Sequence, residues 1–384
     1  MPISKKKLMI LGAGEIQVPV IIKAKDEGFF VIVVDFDESA PGFKYADIKL
    51  VISTHDEKKI FEQAVKNNID GILTTSDFPV RVVASIAEKL GLKALSRESA
   101  NICTNKFLLR QKLKYSNLNC PKYILAKTIN DLSVIDFFPA IIKPIDSSAS
   151  RGVKKVNSKE ELKKEFEISL SYSNAKKIII EEFIEGKEFS VESLTYNGET
   201  DIIAITEKNK IGEDKGYFVE YSHKIPANIT KHESKLIKQT TIDIIKAINL
   251  NNSSSHTEII ISNDKAYLVE IGARLGGDFI ASDLVYLSKG VDMLKNIIKM
   301  SVNEEIDIKT KYHKYSAIQF ITQDNYLSAK NFIDTKNKQM IKFDIKPYKN
   351  ISIKNSLDRL GYIILQTLKN NELEDLLNKI NNEN

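Results

Sequence analysis

The chain has 384 residues, 42% hydrophobic and 28% charged, with 56 Lys and Arg against 51 Asp and Glu. That length accommodates two or three domains and a sizeable core. The composition excludes a disordered chain, and the surplus of +5 is too small and too evenly spread to mark a nucleic-acid binder. The two cysteines, Cys103 and Cys120, exclude a disulfide scaffold and a Cys-rich zinc or iron–sulfur site.

The opening MPISKKKLMIL starts as a signal peptide does, but Gly12-Ala-Gly14-Glu breaks its short apolar run at once. No apolar run approaches the roughly 18 residues that cross a bilayer, so no membrane partner and a cytoplasmic location are expected. LMIL (8–11), a helix to Gly28, FFVIVVD (29–35), DIKLVIS (47–53), a helix over 56–67, GILTT (71–75) and a helix over 79–90 follow in turn. Such alternation predicts a parallel sheet covered on both faces, a small α/β domain over 1–95.

A helix is predicted over 99–116, then strands KYILA (122–126) and PAIIKP (139–144), a polar loop DSSASRG (146–152) and a helix over 158–171. KKIIIEEFI (176–184), EFSVESLTY (188–196), 202–208 and 217–225 read as strands, and 231–249 as a helix. HTEIII (256–261) and AYLVEI (266–271) form a hairpin, and two helices over 278–288 and 291–301 split at Gly290. The tail carries strands over 316–322, 340–346 and 361–367 and a helix over 372–380. The middle region, 96–305, and a C-terminal α+β subdomain, 306–384, are the second and third expected domains.

Gly12 and Gly14, with Asp35 about 20 residues on, give part of a dinucleotide fingerprint. Gln17 stands where the third glycine belongs and Pro19 follows, so the loop is read as a strand-to-helix turn without a ligand.

The stronger signal spans 106–274. Lys143 ends an apolar strand before a small-residue loop, in which Ser147, Ser148, Ser150 and Gly152 let backbone N–H groups approach phosphate oxygens, and Arg151 adds charge. Glu181 and Glu182 close a strand, Ile184 and Gly186 mark a turn whose free backbone groups suit the edge of a planar base, and Glu188 could accept from ribose hydroxyls. A three-residue turn Asn263-Asp264-Lys265 would set Glu258 opposite Glu270, Cβ atoms about 5 Å apart. Carboxylates so placed repel unless a cation lies between them, and Mg²⁺ suits such oxygen ligands together with nucleotide phosphates. Arg274, four residues on, could grip a phosphoryl group or carboxylate bidentately. Taken together, these residues describe an Mg-ATP site. His223 and His256 are candidates for substrate contact or proton relay. Asp278 is a candidate for the substrate amine or a helix N-cap.

These residues resemble the ATP-grasp superfamily, in its carboxylate–amine ligase branch of amino-acid ligases and carbamoyl-phosphate-synthase-like proteins. GAGEIQ resembles the opening of the Rossmann-like pre-ATP-grasp domain, and LTTSDFPVRVVASIAEKLGL its end. TNKFLLRQKL resembles the helix whose lysine reaches the phosphates, here Lys106, and IIKP carries the second, Lys143. DSSASRGV is similar to the mobile phosphate loop. EEFIEGKEFS resembles the adenine hinge, with Glu181, Glu182 and Ile184 at the base and Glu188 at the ribose. HTEIII and VEIGAR resemble the metal hairpin, which implies Glu258 and Glu270 as Mg²⁺ ligands and Arg274 as the phosphate or acyl-phosphate contact. Gly272 replaces the usual Asn of the metal hairpin, Ala149 a common loop glycine, and Asn105 a common Asp.

The resemblance implies the cofactors ATP and Mg²⁺. It also implies small-molecule carboxylate and amine (or ammonia) substrates joined through an acyl phosphate, with Arg274, Lys143 and His256 serving catalysis. Many relatives are dimers, so a homodimer is an option that no residue locates. Rival readings are an NAD-dependent dehydrogenase on Gly12, Gly14 and Asp35, a biotin-carboxylase-like or carbamoyl-phosphate-type enzyme, and a non-catalytic nucleotide-binding protein.

Overall fold

A computed structural model describes residues 5–148 and 150–381; Ala149 and the first four residues lie outside it. Short Val-, Ile- and Leu-rich runs ended by glycine or aspartate give strands β1 (Lys7–Leu11), β2 (Phe30–Asp35), β3 (Ile48–Val51) and β4 (Gly71–Leu73). They pair in parallel in the order β3-β2-β1-β4. On one face Met9, Leu11, Ile32 and Val34 pack on Ile60, Ala64, Val83 and Ile86. On the other, Leu8, Ile10, Val31 and Val33 pack on Val20 and Ile21, and that core continues into Ile280, Leu284, Ile297 and Ile298 from far along the chain.

The helix expected over 99–116 is two, Arg97–Cys103 and Lys106–Tyr115. Asn105 breaks it. Its backbone is extended (φ −144°, ψ 104°) and its side chain accepts the N–H groups of Phe107 and Leu108, both at 3.1 Å. Asparagine satisfies orphan N–H groups better at a helix start than inside one. The new start places Lys106 at the first helical position, where its own N–H donates to Ile145 O (2.9 Å).

A second, antiparallel sheet holds β5 (Tyr123–Ala126), β6 (Ala140–Pro144), β7 (Lys154–Val156) and β8 (Ile178–Glu182), in the order β5-β8-β6-β7. Leu162 and Phe166 of helix Lys159–Ser171 seal one face. The third sheet collects β9 (Lys187–Tyr196), β10 (Glu199–Ile211), β11 (Val219–Ile225), β12 (Ser253–Ser262), β13 (Lys265–Gly272), β14 (Tyr315–Ile321), β15 (Met340–Ile345) and β16 (Gly361–Thr367). Its order is β13-β12-β9-β10-β11-β14-β16-β15, so the tail strands extend the same sheet through β14 on β11. The helix expected over 278–288 begins as a π turn, Ile280–Leu284, and continues as Val285–Lys289; the next is Met293–Ser301. Strand β7 and helix Tyr326–Asp334 had no counterpart in the sequence reading. Among the described residues no helix is long and apolar enough to cross a membrane.

Candidate active site

A cleft of about 910 Å³ takes its walls from all three sheets. Gln17 and Asp77 come from loops that follow strands of the first, Lys143 and Glu181 from the second, and Glu188, Lys208, Glu258 and Glu270 from the third. The loop after β1 reaches the cleft only through Ile16 and Gln17. Asp35, the residue a dinucleotide ribose would need, accepts Ala13 N–H (2.7 Å) and Asp37 N–H (3.0 Å). Gly42 N–H donates to Ala13 O (2.7 Å), covering the loop with chain. The strand-to-helix turn without a ligand accounts for these contacts, and a dinucleotide reading does not.

The hairpin pairs Glu258 with Glu270, by a route the sequence reading did not anticipate. The turn has two residues, Asn263 and Asp264, both at positive φ (47° and 56°), not three. That turn alone would set Glu258 opposite Val269 and turn Glu270 to the other face. A bulge between Glu258 and Ile259 absorbs Val269 and restores the Glu258–Glu270 pair.

Each of the two glutamates carries a lysine. Lys106 Nζ lies 2.9 Å from Glu270 Oε1 and donates to Ser147 O (2.6 Å). Lys208, whose side chain is 2% exposed, lies 2.5 Å from Glu258, 3.0 Å from Glu220 and 3.2 Å from Glu188. Burial disfavours its charge, but the three carboxylates hold its pKa well above the usual lysine value. Burial likewise works to raise Glu258, yet Lys208 and His256 hold its carboxyl well below the usual range. Lys210 takes the other oxygen of Glu188.

Lys143 sits deep in the cleft, 2.7 Å from Glu181 Oε2. Glu181 also holds Arg110, through Nε (2.8 Å) and Nη2 (3.1 Å). Burial opposes the charge of Glu181, but Arg110 and Lys143 outweigh it and hold its pKa down at about 2. Its side chain is therefore fully engaged within the protein. Glu182 accepts Lys122 N–H (3.3 Å). Beside Ile184 in the cleft wall, Phe183 and Phe218 stack at 6.4 Å with 28° between ring planes, an apolar face suited to a planar base.

His256 Nδ1 lies 2.5 Å from Glu192, a fully buried carboxylate, and its Nε2 faces Glu258 at 3.5 Å. Burial lowers the His256 pKa, but Glu192 and Glu258 raise it to about 9. Glu192 also accepts Gly276 N–H (3.1 Å), tying the loop after β13 to β9. Arg274 forks onto Asp77 through Nε (2.7 Å) and Nη2 (3.0 Å). Asp278, also in the cleft wall, is not at a helix N-cap; it forks onto Arg359 (2.8 and 3.0 Å).

The cleft thus brings together Lys106, Lys143, Ser147, Ser148, Ser150, Glu181, Glu182, Ile184, Glu188, His223, His256, Glu258, Glu270, Arg274 and Asp278. Two expected members fall outside its wall. Arg151 Nε folds back onto Ser148 O (3.2 Å) and its guanidinium lies over Phe78. Gly152, at φ +72°, is wedged against Pro144 and Tyr172. The sequence reading missed Arg110, although it lies one turn from Lys106 on the same helix face. It also missed Lys208 and Lys210, although their spacing puts both on one face of β10. Asp77, Glu192 and Arg359 carried no local signal.

Residues 136–283 match the model of the ATP-grasp domain. The formate-dependent phosphoribosylglycinamide formyltransferase of Sulfurisphaera tokodaii is 26% identical over 281 residues, 70% of each chain; other formyltransferases are matched over about half their length. Two solved structures superpose over 99% of this chain and 98% of their own. L-amino acid ligase from Bacillus licheniformis does so with a TM-score of 0.83 and 20% identity. Phosphoribosylglycinamide synthetase from Anaerococcus prevotii does so with 0.76 and 22%.

Proposed function

Since the chain belongs to the ATP-grasp superfamily, we propose that it is an ATP-dependent, ADP-forming ligase joining a small-molecule carboxylate to an amine or ammonia. The Glu258–Glu270 pair carries this reading. It sits in the same cleft as Lys143 and Arg274, with a lysine already on each carboxylate.

In this reading ATP lies with its base between the 182–184 backbone and the Phe183–Phe218 face, its ribose at Glu188 and its phosphates toward Lys106, Lys143 and the 147–150 serines. Two carboxylates that hold lysines when alone fit a hard divalent cation, and Glu258 and Glu270 would hold Mg²⁺. The cation would neutralise phosphate charge. Lys106 is then free to move from Glu270 to a phosphate oxygen, and Lys208 to remain on Glu188 and Glu220.

A substrate carboxylate oxygen attacks the γ-phosphorus and ADP leaves. The amine nitrogen then attacks the acyl carbon, loses a proton and expels phosphate. The protein contributes position and fixed charge. Arg274 exchanges Asp77 for the transferred group, and His256, held by Glu192, orients Glu258. The cleft draws on residues from 1–95, 96–305 and 306–384, the last of these between strands that continue the sheet of the middle region.

The test is ADP and phosphate release from MgATP with pooled carboxylates, each with and without pooled amines. Release that needs both pools is expected. Turnover with bicarbonate and biotin, or binding of MgATP without turnover in any pool, would overturn the reading.

A further inference from the structure

The acceptor end of the cleft is formed by β11, the loop after β13 and residues 356–359. Two cations reach it: Lys208, which lies 3.0 Å from Glu220 and is held by three carboxylates, and Arg359, whose guanidinium is fully engaged. Nη1 and Nη2 fork onto Asp278 (2.8 and 3.0 Å), Nε donates to Ser356 O (2.8 Å), and the plane lies 3.7 Å from the Phe320 ring centre. Asp278 in turn has burial against its charge, but His223 and Arg359 hold its carboxyl well below the usual range.

Around the same point stand Glu220 and His223. The ligand atoms of Glu220, His223 and Asp278 all lie within 4.8 Å of one another. An atom at the centre of such a triangle sits no more than about 2.8 Å from each corner, within hydrogen-bond reach. A protonated amine carries three donors. His223 is 1% exposed; its Nε2 stands 3.7 Å from Asp278, beyond hydrogen-bond reach, and its Nδ1 has no partner among the described residues. This end therefore gathers acceptor groups, Glu220 shared with Lys208, around a guanidinium that Asp278 masks.

We propose that the amine substrate carries no phosphate group, and that Asp278 is the residue that excludes one by occupying Arg359. The inference rests on the ligase reading above. The formyltransferase and synthetase that the chain resembles are both named for a phosphoribosyl compound, phosphoribosylglycinamide. Here a phosphate would have to displace one carboxylate from Arg359 and then sit against it and Glu220. A cationic amine without phosphate meets carboxylates, Glu220 shared with Lys208 and Asp278 shared with Arg359, beside His223.

Ribose 5-phosphate serves as the probe, titrated calorimetrically into the full chain saturated with MgADP, so that the nucleotide phosphate contacts are filled. Wild type is expected to bind it at least about tenfold more weakly than Asp278→Asn. Adding Arg359→Met to that variant removes the gain. Circular dichroism checks folding, and Arg359→Met alone supplies an arm that does not depend on Asp278→Asn. The proposal falls if wild type binds the probe as tightly as Asp278→Asn does, or if Arg359→Met weakens wild-type binding. Turnover restricted to phosphorylated amines would also overturn it. Silence of every amine pool would count against the ligase reading instead, and the calorimetric arm would still decide what Arg359 is free to bind.

Discussion

Glu181 shows how much of this site is built from charges that hold one another. One carboxylate, 5% exposed, faces Arg110 and Lys143. Burying ions costs several kcal/mol each unless geometry and hydrogen bonds are good, and here the guanidinium fork and the ammonium supply both. Removing one partner leaves a charge without compensation, so Arg110→Met is expected to lower stability at neutral pH by about 3–5 kcal/mol in denaturant unfolding. Glu181 has its pKa lowered to about 2. The stability it contributes is therefore complete above the ordinary glutamate value of about 4.3 and is lost as pH falls toward 2. The gap between wild type and Arg110→Met should close over that acid window; a constant gap would mean that Glu181 does not carry it. His256 has the opposite sign. Its pKa is raised to about 9, so its contribution is complete below about 6.5 and disappears as pH rises through 9. Glu192→Gln should be less stable than wild type by about 1–3 kcal/mol near pH 6 in denaturant unfolding, with the two pH–stability curves converging on the alkaline side.

At the scale of elements, the hairpin and the loop after it decide whether the charged groups meet. The two-residue turn and the bulge at Val269 act together. The bulge also frees Val269 O, which accepts Arg110 Nη2 (2.8 Å) and so ties the hairpin to the Lys106 helix. Beyond β13, Gly276 passes so close to Glu192 and His256 that a methyl group there would lie 2.7 Å from Glu192 Oε1 and 2.8 Å from His256 Nδ1. Neither partner can retreat, since Glu192 is fully buried and bonded at both oxygens. Gly276→Ala should therefore cost about 1–3 kcal/mol in chemical denaturation and disturb the 274–278 loop, seen as a larger loss of ADP release than of stability.

For the molecule as a whole, the three sheets share what a linear domain map separates. The face of the first sheet formed by Leu8, Ile10 and Val33 packs into a core with Ile280, Leu284 and Ile298. Asp77 and Arg274 cross between the first sheet's loops and the third sheet. The tail strands are integral as well, because β14 covers β11 and brings β16 and β15 after it. A chain ending at residue 305 would leave β11 as a bare edge and lose Arg359. It is expected to be aggregated or insoluble by size-exclusion chromatography, and a monodisperse folded product would refute the continuity argued here.

Elements whose signal is local are legible along the chain. Period-two and period-3.6 apolar patterns placed nearly every strand and helix, because burial of one face is written residue by residue. The sequence also carries the families of chemistry: lysines after apolar strands, small-residue loops and glutamates on a hairpin are recognisable before any folding. What it missed was also local in part. Asn105, read as an ordinary helical residue, is a cap, and the Val269 bulge hides inside an alternating run. The partners were decided only by the tertiary structure. Glu181 with Arg110, Lys208 with three glutamates, His256 with Glu192, Arg274 with Asp77 and Asp278 with Arg359 join residues from 12 to 197 positions apart. Electrostatic pairing acts across space and leaves no periodicity along the chain. Sequence could therefore name those charged groups that sit in a local motif, and only the packing of three sheets around one cleft supplied their partners and said which are left for a ligand.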